Sequence, residues 1–268
     1  MIRTYTQVNE VLLARAPRLR VVARAGVGLD NVDIPACKAR NVQVLSTPGA
    51  NTRAVVEIVT AFMLDALRPR VFIDKALDKK TWNDHRKELI APKQLGDLTL
   101  GIIGLGRVGS GVARVGAALD MRVLYNDLLD FGPERRFGAI PASFEQVLQQ
   151  ADILTLHPDG RPFNRHLLNA AACARLKPDV LLINTSRGFI VDTAAVAAFL
   201  RAHPAAQAII DVHEPEPFGP DYPLLGVSNA HLSAHIAAAT STAHRNMSWV
   251  VKDLWRVLSG ERPEHPAW

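Results

Sequence analysis

The stretch "LGIIGLGRVGSGVARVGAAL", residues 100–119, decides the fold of this chain. It begins as a short apolar run typical of a strand, passes through the glycine turn "GLGRVG" and continues as an amphipathic segment of helical length. Gly104 permits a tight turn, Gly106 lets a phosphate approach the backbone, and Gly109 lets the helix pack against the strand. The helix N-terminus then offers N–H groups to a pyrophosphate. The stretch therefore predicts a dinucleotide-binding βαβ unit.

A carboxylate follows the next predicted strand. Asp127 ends "MRVLYND" about twenty residues after the turn, where an acid accepts hydrogen bonds from the adenosine ribose. Glycines alone are weak evidence, because an ordinary strand–helix connection contains them too, but turn and acid together are a strong indication. The acid also repels a 2′-phosphate, which favours NAD over NADP, while Arg135 and Arg136 follow closely enough to leave NADP open.

Length and composition limit the remaining possibilities. The 268 residues are 48% hydrophobic, which is enough for two modest domains, and no apolar run is long enough to span a bilayer. The N-terminus has no secretory signal, and the net charge of +5 is scattered, so neither a membrane nor nucleic acid is expected as a partner. Cys37 and Cys173 are too few for a disulfide framework or a zinc site. We expect a cytoplasmic protein without a metal.

Short apolar runs alternate with helix-length segments through most of the chain, which is typical of an α/β fold with a parallel sheet. The predicted strands are 19–24, 42–45, 99–103, 121–125, 152–157, 180–184 and 208–212. The predicted helices are 107–119, 143–150 after a Ser cap, 168–177, 192–201 from an Asp cap, and 241–258 before Gly260. The polar segment 68–98, broken by Pro69 and Pro92, predicts an arm or connection.

Six stretches occur in the order and at the spacing of one known family: "RAGVGLDNVD" (24–33), "STPGANTRAVVEIVTAFML" (46–64), "LGIIGLGRVG" (100–109), "LKPDVLLINTSRGFIVD" (176–192), "DVHEPEP" (211–217) and "AHIAAAT" (234–240). Together they resemble the D-isomer-specific 2-hydroxyacid dehydrogenases, nearest to the D-3-phosphoglycerate dehydrogenase-like members, over nearly the whole chain. The resemblance implies two Rossmann-like domains with parallel sheets. The NAD-binding domain, 53–240, would be inserted into a flavodoxin-like substrate domain formed by 1–52 and 241–268.

Members of this family usually begin with a βα unit and a second strand that precede the region aligned at Met1. We therefore expect a truncated substrate domain, with the edges of the neighbouring strands exposed. Three explanations stay open: a misassigned start codon, a natural truncation, or a fragment whose remaining half-domain leans on a partner subunit. In the last two cases we expect activity to be reduced or absent.

The resemblance implies a catalytic set of Arg187, Glu216 and His235. An imidazole that titrates near neutrality suits proton transfer coupled to hydride transfer, and a carboxylate on its other nitrogen raises the pKa of the histidine. A guanidinium clamps the carboxylate of a 2-oxo acid. Taken alone, each residue has an ordinary explanation: a surface ion pair for Arg187, a solvated loop acid for Glu216, a core histidine for His235. Glu214 competes with Glu216, and the register of the family favours Glu216.

The same resemblance implies further contacts. On the cofactor side, it adds to the three glycines and Asp127 the residues Arg107, Val108, Leu156, His157, Pro158, Thr185, Ser186, Arg187, Asp211, His235 and Ala237. Thr185 and Ser186 would approach the nicotinamide ribose, Asp211 would hold the carboxamide, and His157 is interpreted as a cleft wall rather than a second acid. The substrate side comprises Arg24, Val27, Gly28, Asn51 and Arg187. Arg24 bracing its loop and Asn51 capping the next helix are equally good explanations.

Two stretches depart from the family pattern. "HPDGRPF" (157–163) stands where members usually have "HxPLT", and Ala237–Ala238 replaces a glycine pair. Neither change removes an acid, a base or an anion clamp.

The implied function is NAD-dependent interconversion of a small D-2-hydroxy acid and its 2-oxo acid, of the 3-phosphoglycerate, hydroxypyruvate or glyoxylate class. The segment 54–90 resembles the arm through which members dimerise, which implies a homodimer. The alternative is a catalytically impaired dinucleotide-binding homologue that acts as a redox-sensing or interaction protein.

Overall fold

The computed structural model describes residues 1–68 and 70–268; Pro69, one of the prolines predicted to break the arm, lies outside the described residues. Within the described part the strands are β1 (Val21–Ala23), β2 (Gln43–Leu45), β3 (Thr99–Ile103), β4 (Arg122–Asn126), β5 (Ile140–Pro141), β6 (Ile153–Leu156), β7 (Leu181–Asn184), β8 (Gln207–Ile210) and β9 (Ala230–Leu232). The helices are α1 (Glu10–Arg15), α2 (Ile34–Ala39), α3 (Thr52–Leu67), α4 (Lys79–Glu88), α5 (Arg107–Ala118), α6 (Pro133–Arg136), α7 (Phe144–Gln150), α8 (Ala170–Cys173), α9 (Thr193–Ala202), α10 (Ser241–Ser248) and α11 (Val250–Leu258). Short 3₁₀ turns occupy Leu95–Asp97, Pro162–Asn164 and Gly188–Ile190. None of the described helices combines the length and the apolar character needed to cross a membrane.

The chain divides into two compact units. One unit consists of Met1–Ala54 and Ala238–Trp268, and the other, Val55–Ala237, is inserted between these two pieces. The boundaries predicted from the sequence, 52/53 and 240/241, lie close to those of the structure. The inserted unit carries the glycine turn, and the discontinuous unit carries the substrate-side residues predicted at 24–51.

The inserted unit is built on a parallel sheet whose seven strands lie within residues 99–232, in the order β5-β4-β3-β6-β7-β8-β9. Its central strands are buried on both faces, which explains their continuous apolar runs. The chain moves to one side of β3 with β4 and to the other side with β6. In open α/β sheets such a reversal leaves a crevice at the carboxyl ends of the strands, where ligands bind.

Local signals in the sequence set several helix boundaries. The Ser143 hydroxyl accepts from Gln146 N at 3.2 Å and opens α7, as predicted. The Asp192 carboxylate accepts from two amides in the first turn of α9, each at 3.1 Å. Gly260 follows α11 with φ +82°, a left-handed conformation that ends a helix at little cost. These three predictions are confirmed.

Other predictions need correction. Strands β5 and β9 were not predicted, because two or three residues carry no periodic signal. The predicted helix 168–177 is helical only over α8, and the predicted helix 241–258 consists of α10 and α11. The predicted arm contains α4, which starts at the Asp78 cap and has no buried residue, in keeping with its polar sequence.

The discontinuous unit holds the parallel pair β1 and β2. Ile2 pairs with the main chain beside β1, donating to Ala23 O at 2.8 Å, and Ala267 pairs beside β2, donating to Val44 O at 2.8 Å. Val250 of α11 packs into the apolar cluster on this sheet. The expectation of exposed strand edges is therefore wrong at these positions, because residues near both ends of the chain supply main-chain partners.

Candidate active site

The glycine turn after β3 has the geometry of a phosphate-binding loop. Gly104 has φ +90°, and a Cβ there would lie 2.6 Å from His157 O, so only glycine fits. A Cβ on Gly109 would lie 2.0 Å from Gly104 O, which means that α5 contacts the turn directly. At Gly106 nothing lies within 4 Å of an added Cβ, so this side of the turn faces open space. The turn is therefore closely packed at Gly104 and Gly109 and open to a ligand at Gly106.

The start of α5 presents free N–H groups to that space. Its first intrahelical hydrogen bond runs from Ser110 N to Gly106 O at 2.9 Å, so the N–H groups of residues 107–109 precede it. Gly106 is the N-cap and brings no side chain to satisfy them. Together with the helix dipole, these groups suit an anionic phosphate. Arg107 and Val108 lie in this first turn, and Arg107 is exposed.

Asp127 follows β4 and faces the glycine turn from one side. Its Oδ2 accepts from Leu105 N at 2.6 Å, and its Oδ1 accepts from Leu129 N at 2.9 Å. Each carboxylate oxygen accepts about two hydrogen bonds, so both oxygens keep capacity for ribose hydroxyls. The acid thus fixes the turn and remains suited to the ribose.

A second loop, after β7, carries Arg187. The buried Asn184 side chain organises it: Asn184 Nδ2 donates to Arg187 O at 3.0 Å, and Oδ1 accepts from Ser186 N at 3.0 Å and from Ser186 Oγ at 2.7 Å. Arg187 Nη1 donates to Ser186 O at 2.7 Å. Ser186 therefore shapes the loop, whereas the neighbouring Thr185 Oγ1 is buried and has no hydrogen-bond partner in the structure.

A dinucleotide fits this set of residues. An unpartnered buried hydroxyl is costly unless a ligand or water satisfies it, and Thr185 Oγ1 lies at the carboxyl edge of the sheet where the nicotinamide ribose was predicted. The open turn, the free N–H groups and the carboxylate of Asp127 match the pyrophosphate and the adenosine ribose. The residues present therefore suit a nicotinamide dinucleotide.

The third loop cluster brings Glu216 and His235 together. His235 Nδ1 lies 2.8 Å from Glu216 Oε2, and Glu216 Oε1 accepts from His213 N at 2.7 Å. The hydrogen bond that His235 donates to Glu216 raises the pKa of His235, against burial and the positive charge of Arg187. Burial alone would raise the pKa of Glu216, but its hydrogen bonds with His235 and the His213 amide hold it below its usual value. Because a carboxylate only accepts, Nδ1 carries a proton and Nε2 is left to face a reactant.

Asp211 holds the segment that carries His235. Its fully buried carboxylate accepts from Ser233 Oγ at 2.6 Å, from Ile236 N at 2.9 Å and from Ala237 N at 2.8 Å. Its carbonyl oxygen accepts from His235 N at 2.8 Å. The predicted contact with the nicotinamide carboxamide would therefore use a carboxylate that already holds the segment 233–237 in place. The sequence did not indicate this structural role.

The competing acid has a different partner. Glu214 forms a two-pronged ion pair with Arg165, with Nη1–Oε2 and Nη2–Oε1 distances both 2.7 Å. The structure therefore places Glu216, and not Glu214, against His235.

The unusual segment 157–163 forms one wall beside the glycine turn. Burial lowers the pKa of His157 to about 3, so this ring stays neutral near pH 7, as expected for a wall residue. Asp159 pairs with Arg161, with both carboxylate oxygens 2.8 Å from Nε. The hydrogen bond from Arg161, with a smaller contribution from the charge of Arg187, lowers the pKa of Asp159. An ion pair thus stands where the family pattern has Pro and Thr.

Leu156 and Pro158 flank that histidine at the end of β6, and Leu156 is buried in the core. Of the five substrate-side residues predicted from the sequence, four belong to the discontinuous unit, and the fifth, Arg187, belongs to the inserted unit. Arg24 lies over Gly26, where an added Cβ would be 1.4 Å from Arg24 Nη1, so this side chain braces its own loop. Val27 and Gly28 are half-buried in that loop, and Asn51 directly precedes α3.

Among the described residues, no group of three His, Cys, Asp or Glu side chains is arranged to hold a metal ion.

Some functional residues were missed by reasoning from the sequence. Asn184, Ser233 and the ring of His213 hold the loops of Arg187 and His235 through side-chain hydrogen bonds. For Asn184 and His213 the sequence signal is a polar residue at or directly after the end of a predicted apolar strand, as with the Asn that ends "VLLIN". Ser233 follows β9, which was not predicted, and has no such signal.

The parallel sheet, the phosphate turn and the Glu–His pair define the class of NAD-type, dinucleotide-dependent dehydrogenases. A sequence model described as "D-isomer specific 2-hydroxyacid dehydrogenase, NAD binding domain" matches residues 60–237. This match covers more than half of the chain. The chain belongs to the D-isomer-specific 2-hydroxyacid dehydrogenase family.

Individual relatives agree with this assignment. The chain is 36% identical to a glyoxylate reductase of Aeropyrum pernix over 247 residues, covering 90% of this chain and 74% of the relative. It is 34% identical to a D-3-phosphoglycerate dehydrogenase of Archaeoglobus fulgidus over 254 residues, covering 94% of this chain but only 48% of the relative, so the chain spans about half the length of that protein. A D-lactate dehydrogenase structure from Aquifex aeolicus, complexed with NAD and lactic acid, is similar with a TM-score of 0.83 and 27% identity, covering 97% and 82% of the two chains. These names support NAD-dependent interconversion of 2-hydroxy and 2-oxo acids as the reaction class.

Removing the charge of Glu216 should lower the pKa of His235. In Glu216→Gln we expect that pKa to fall, because the neutral amide no longer stabilises the imidazolium. An NMR titration of the histidine ring measures it. Glu214→Gln is the matched control and should leave the pKa of His235 unchanged, because Glu214 pairs with Arg165. Equal shifts in the two variants would show that Glu216 has no special part.

Proposed function

We propose that this protein interconverts a small D-2-hydroxy acid and its 2-oxo acid with NAD, and that His235, Glu216 and Arg187 form its catalytic set. The observation that carries the proposal is the 2.8 Å contact between His235 Nδ1 and Glu216 Oε2, at the carboxyl edge of the sheet that holds the glycine turn. A histidine whose pKa is raised by a carboxylate, beside a dinucleotide site, suits proton transfer coupled to hydride transfer.

When bound, the nicotinamide ring accepts or supplies the hydride at the carbon that carries the hydroxyl or carbonyl group. His235 handles the proton at Nε2: as imidazolium it donates to the carbonyl oxygen of the 2-oxo acid, and as neutral imidazole it removes the proton of the 2-hydroxy acid. Glu216 holds the Nδ1 proton and stabilises the imidazolium. Reduction therefore needs pH values below the pKa of His235, and oxidation needs values above it.

Arg187 would bind the substrate carboxylate and polarise the neighbouring carbonyl group. Its guanidinium supports both tasks, because the planar fork of donors matches a carboxylate. Asn184 holds the main-chain carbonyl group of Arg187, which limits the positions that the guanidinium can reach. The positive charge of Arg187 also lowers the pKa of His235 somewhat, which supports a location of the two side chains around one reacting group.

Turnover should depend on His235. We expect the protein to oxidise NADH with at least one of glyoxylate, hydroxypyruvate, 2-oxoglutarate and phosphohydroxypyruvate, and the rate of His235→Gln to fall by about 10²- to 10⁴-fold, the usual contribution of a general acid. Loss of NADH absorbance measures the rate. His231→Gln, at an exposed histidine of β9, is the matched control and should keep the activity.

Two results would contradict the proposal. Turnover that survives in His235→Gln would remove this residue from the mechanism. NADH binding without turnover of any of the four acids would favour the alternative, a dinucleotide-binding protein with a redox-sensing or interaction role.

We also propose NAD rather than NADP as the cofactor, on the basis of Asp127. Its carboxylate suits ribose hydroxyls and repels a 2′-phosphate. We expect NADH to bind more tightly than NADPH, and Asp127→Asn to reduce this preference by about tenfold or more, since like charges placed together cost several kcal/mol. Fluorescence titration gives both dissociation constants. Asp120→Asn, at an exposed acid beyond the C-terminal end of α5, is the control and should change neither.

We propose that the segment 54–90 mediates a homodimer. Exposed apolar side chains support this: Phe72 is 85% exposed, Ile90 is 73% exposed, and Trp82 of α4 is 50% exposed. Light scattering at micromolar concentration should give a dimer, and Trp82→Glu should give a monomer. Trp255→Glu, at an exposed tryptophan of α11, is the control. A monomeric wild-type protein would contradict the proposal.

We place the protein in the cytoplasm, a reducing compartment. Cys37 and Cys173 are free and buried. Burial raises the pKa of both thiols, that of Cys173 to about 12, so both are unreactive. Two buried free thiols are what a reducing environment maintains.

A further inference from the structure

His213 is a buried histidine that the proposed mechanism does not use. It lies two residues after Asp211, beyond the end of β8, and is 7% exposed. Its Nε2 lies 2.8 Å from Ser233 O, and its Nδ1 lies 3.0 Å from the Tyr222 hydroxyl. Both ring nitrogens therefore have partners on separate segments of the chain.

The partners determine the protonation of the ring. A carbonyl oxygen only accepts, so His213 Nε2 carries the hydrogen and donates to Ser233 O. In the neutral ring Nδ1 then accepts from the Tyr222 hydroxyl. Burial and the nearby charge of Glu216 raise the pKa of Tyr222 to about 12, so this hydroxyl keeps its proton. The ring is thus held as one tautomer, with each of its polar atoms satisfied.

Aromatic contacts fix the position of the same ring. Phe218 meets it edge-on at a centroid distance of 4.7 Å, and Tyr222 does so at 5.4 Å. The two aromatic rings stack on each other at 4.4 Å. A histidine enclosed in this way has little freedom to change rotamer, so its hydrogen bonds hold fixed points.

The main chain of His213 contacts both Glu216 and the loop that carries Arg187. Its N–H donates to Glu216 Oε1 at 2.7 Å, while Glu216 Oε2 contacts His235 Nδ1. A Cβ on Gly188, directly after Arg187, would lie 2.0 Å from the carbonyl carbon of His213, so the arginine loop packs on this peptide group. Ser233, held by the ring, is two residues before His235.

We propose that His213 is a positioning residue, which holds the Glu216 carboxylate with its main chain and the segment of His235 with its ring. The inference rests on the proposed function of that pair and deepens it. Without the ring hydrogen bonds, Ser233 O is left unsatisfied, and the segment 233–235, which Asp211 still holds in the fold, loses the contact that sets its distance from Glu216. The distance between His235 and Glu216 then increases, and the Glu216 carboxylate stabilises the imidazolium of His235 less.

The charged groups around His235 are few enough to make this testable. The pKa of His235 responds to Glu216, Asp211 and Arg187. Asp211 holds the same segment through its own hydrogen bonds, so the segment stays folded when His213 is changed. Replacement of His213 by a neutral side chain leaves these three charges in the protein. The charge of His213 also acts on Glu216, whose pKa it lowers. Loss of a positive charge near His235 would raise the pKa of His235, so a fall in that pKa reports a changed geometry.

The test uses three variants. His213→Phe keeps an aromatic ring against Phe218 and Tyr222 but removes both hydrogen bonds. His213→Gln supplies an amide N–H that can donate to Ser233 O again. His203→Phe is the matched control, because His203 also stacks on an aromatic ring, Phe199, at 4.4 Å and contacts a carbonyl oxygen at 2.9 Å, outside the site.

In His213→Phe we expect kcat to fall by about tenfold to a hundredfold, the effect of a displacement of about 1 Å in a catalytic group. The NADH dissociation constant should stay the same, and the pKa of His235, from NMR titration and from the pH profile, should fall. His213→Gln should recover much of the kcat and of the pKa. His203→Phe should match the wild type.

Three outcomes would overturn the inference: an unchanged pKa of His235 in a folded His213→Phe, a His213→Gln that behaves no better than a folded His213→Phe, or an equal effect of His203→Phe. If His213→Phe does not fold, Tyr222→Phe decides: it removes the hydroxyl that holds His213 Nδ1 and should lower the pKa of His235, and an unchanged pKa would contradict us. If the wild type turns over no 2-oxo acid, the proposed function fails, yet the NMR titration still tests His213.

Discussion

The buried carboxylate of Asp211 is the group on which the rest of the site depends. A charge taken out of water is tolerated only when hydrogen bonds replace its hydration, and here three donors from the segment 233–237 do so. The segment has no regular secondary structure of its own after β9, so this carboxylate supplies what a helix or strand would otherwise supply. Removal of the charge would leave three donors without an acceptor and His235 without a fixed position.

The parallel sheet explains why so many loops meet at one edge. Strands β3, β4, β6, β7 and β8 all end on the same side, and each is followed by a loop that carries a functional group. The glycine turn follows β3, Asp127 follows β4, and the loop of Arg187 follows β7. Neighbouring strands lie about 4.8 Å apart, so residues far apart in the chain come within reach of one ligand. The chemistry needs only suitable side chains at the ends of these strands.

The sequence predicts this scaffold well, because strong local signals control it. The glycine turn, the Ser143 cap and the strand 99–103 each depend on neighbouring residues and appear in the structure as expected. Short strands such as β9 exist only because a long neighbour offers hydrogen bonds, so no local pattern predicts them. The choice of Glu216 over Glu214 came from the register of the family rather than from chemistry, since both are acids beside prolines. Contacts such as the one from His213 to Ser233 join residues twenty positions apart and leave no periodic trace.

The backbone of His235 shows how these long-range contacts act on the chemistry. Its φ of +53° is in the left-handed region, which costs a residue other than glycine about 1–3 kcal/mol unless the surroundings impose it. Here the hydrogen bond from its own N–H to Asp211 O and those of the next two amides to the Asp211 carboxylate impose it. This conformation accompanies the contact of the imidazole with Glu216. A chain that kept Arg187, Glu216 and His235 but lost Asp211 would keep the proposed catalytic side chains without the hydrogen bonds that orient His235, and so the supporting residues define this site as much as those three side chains do.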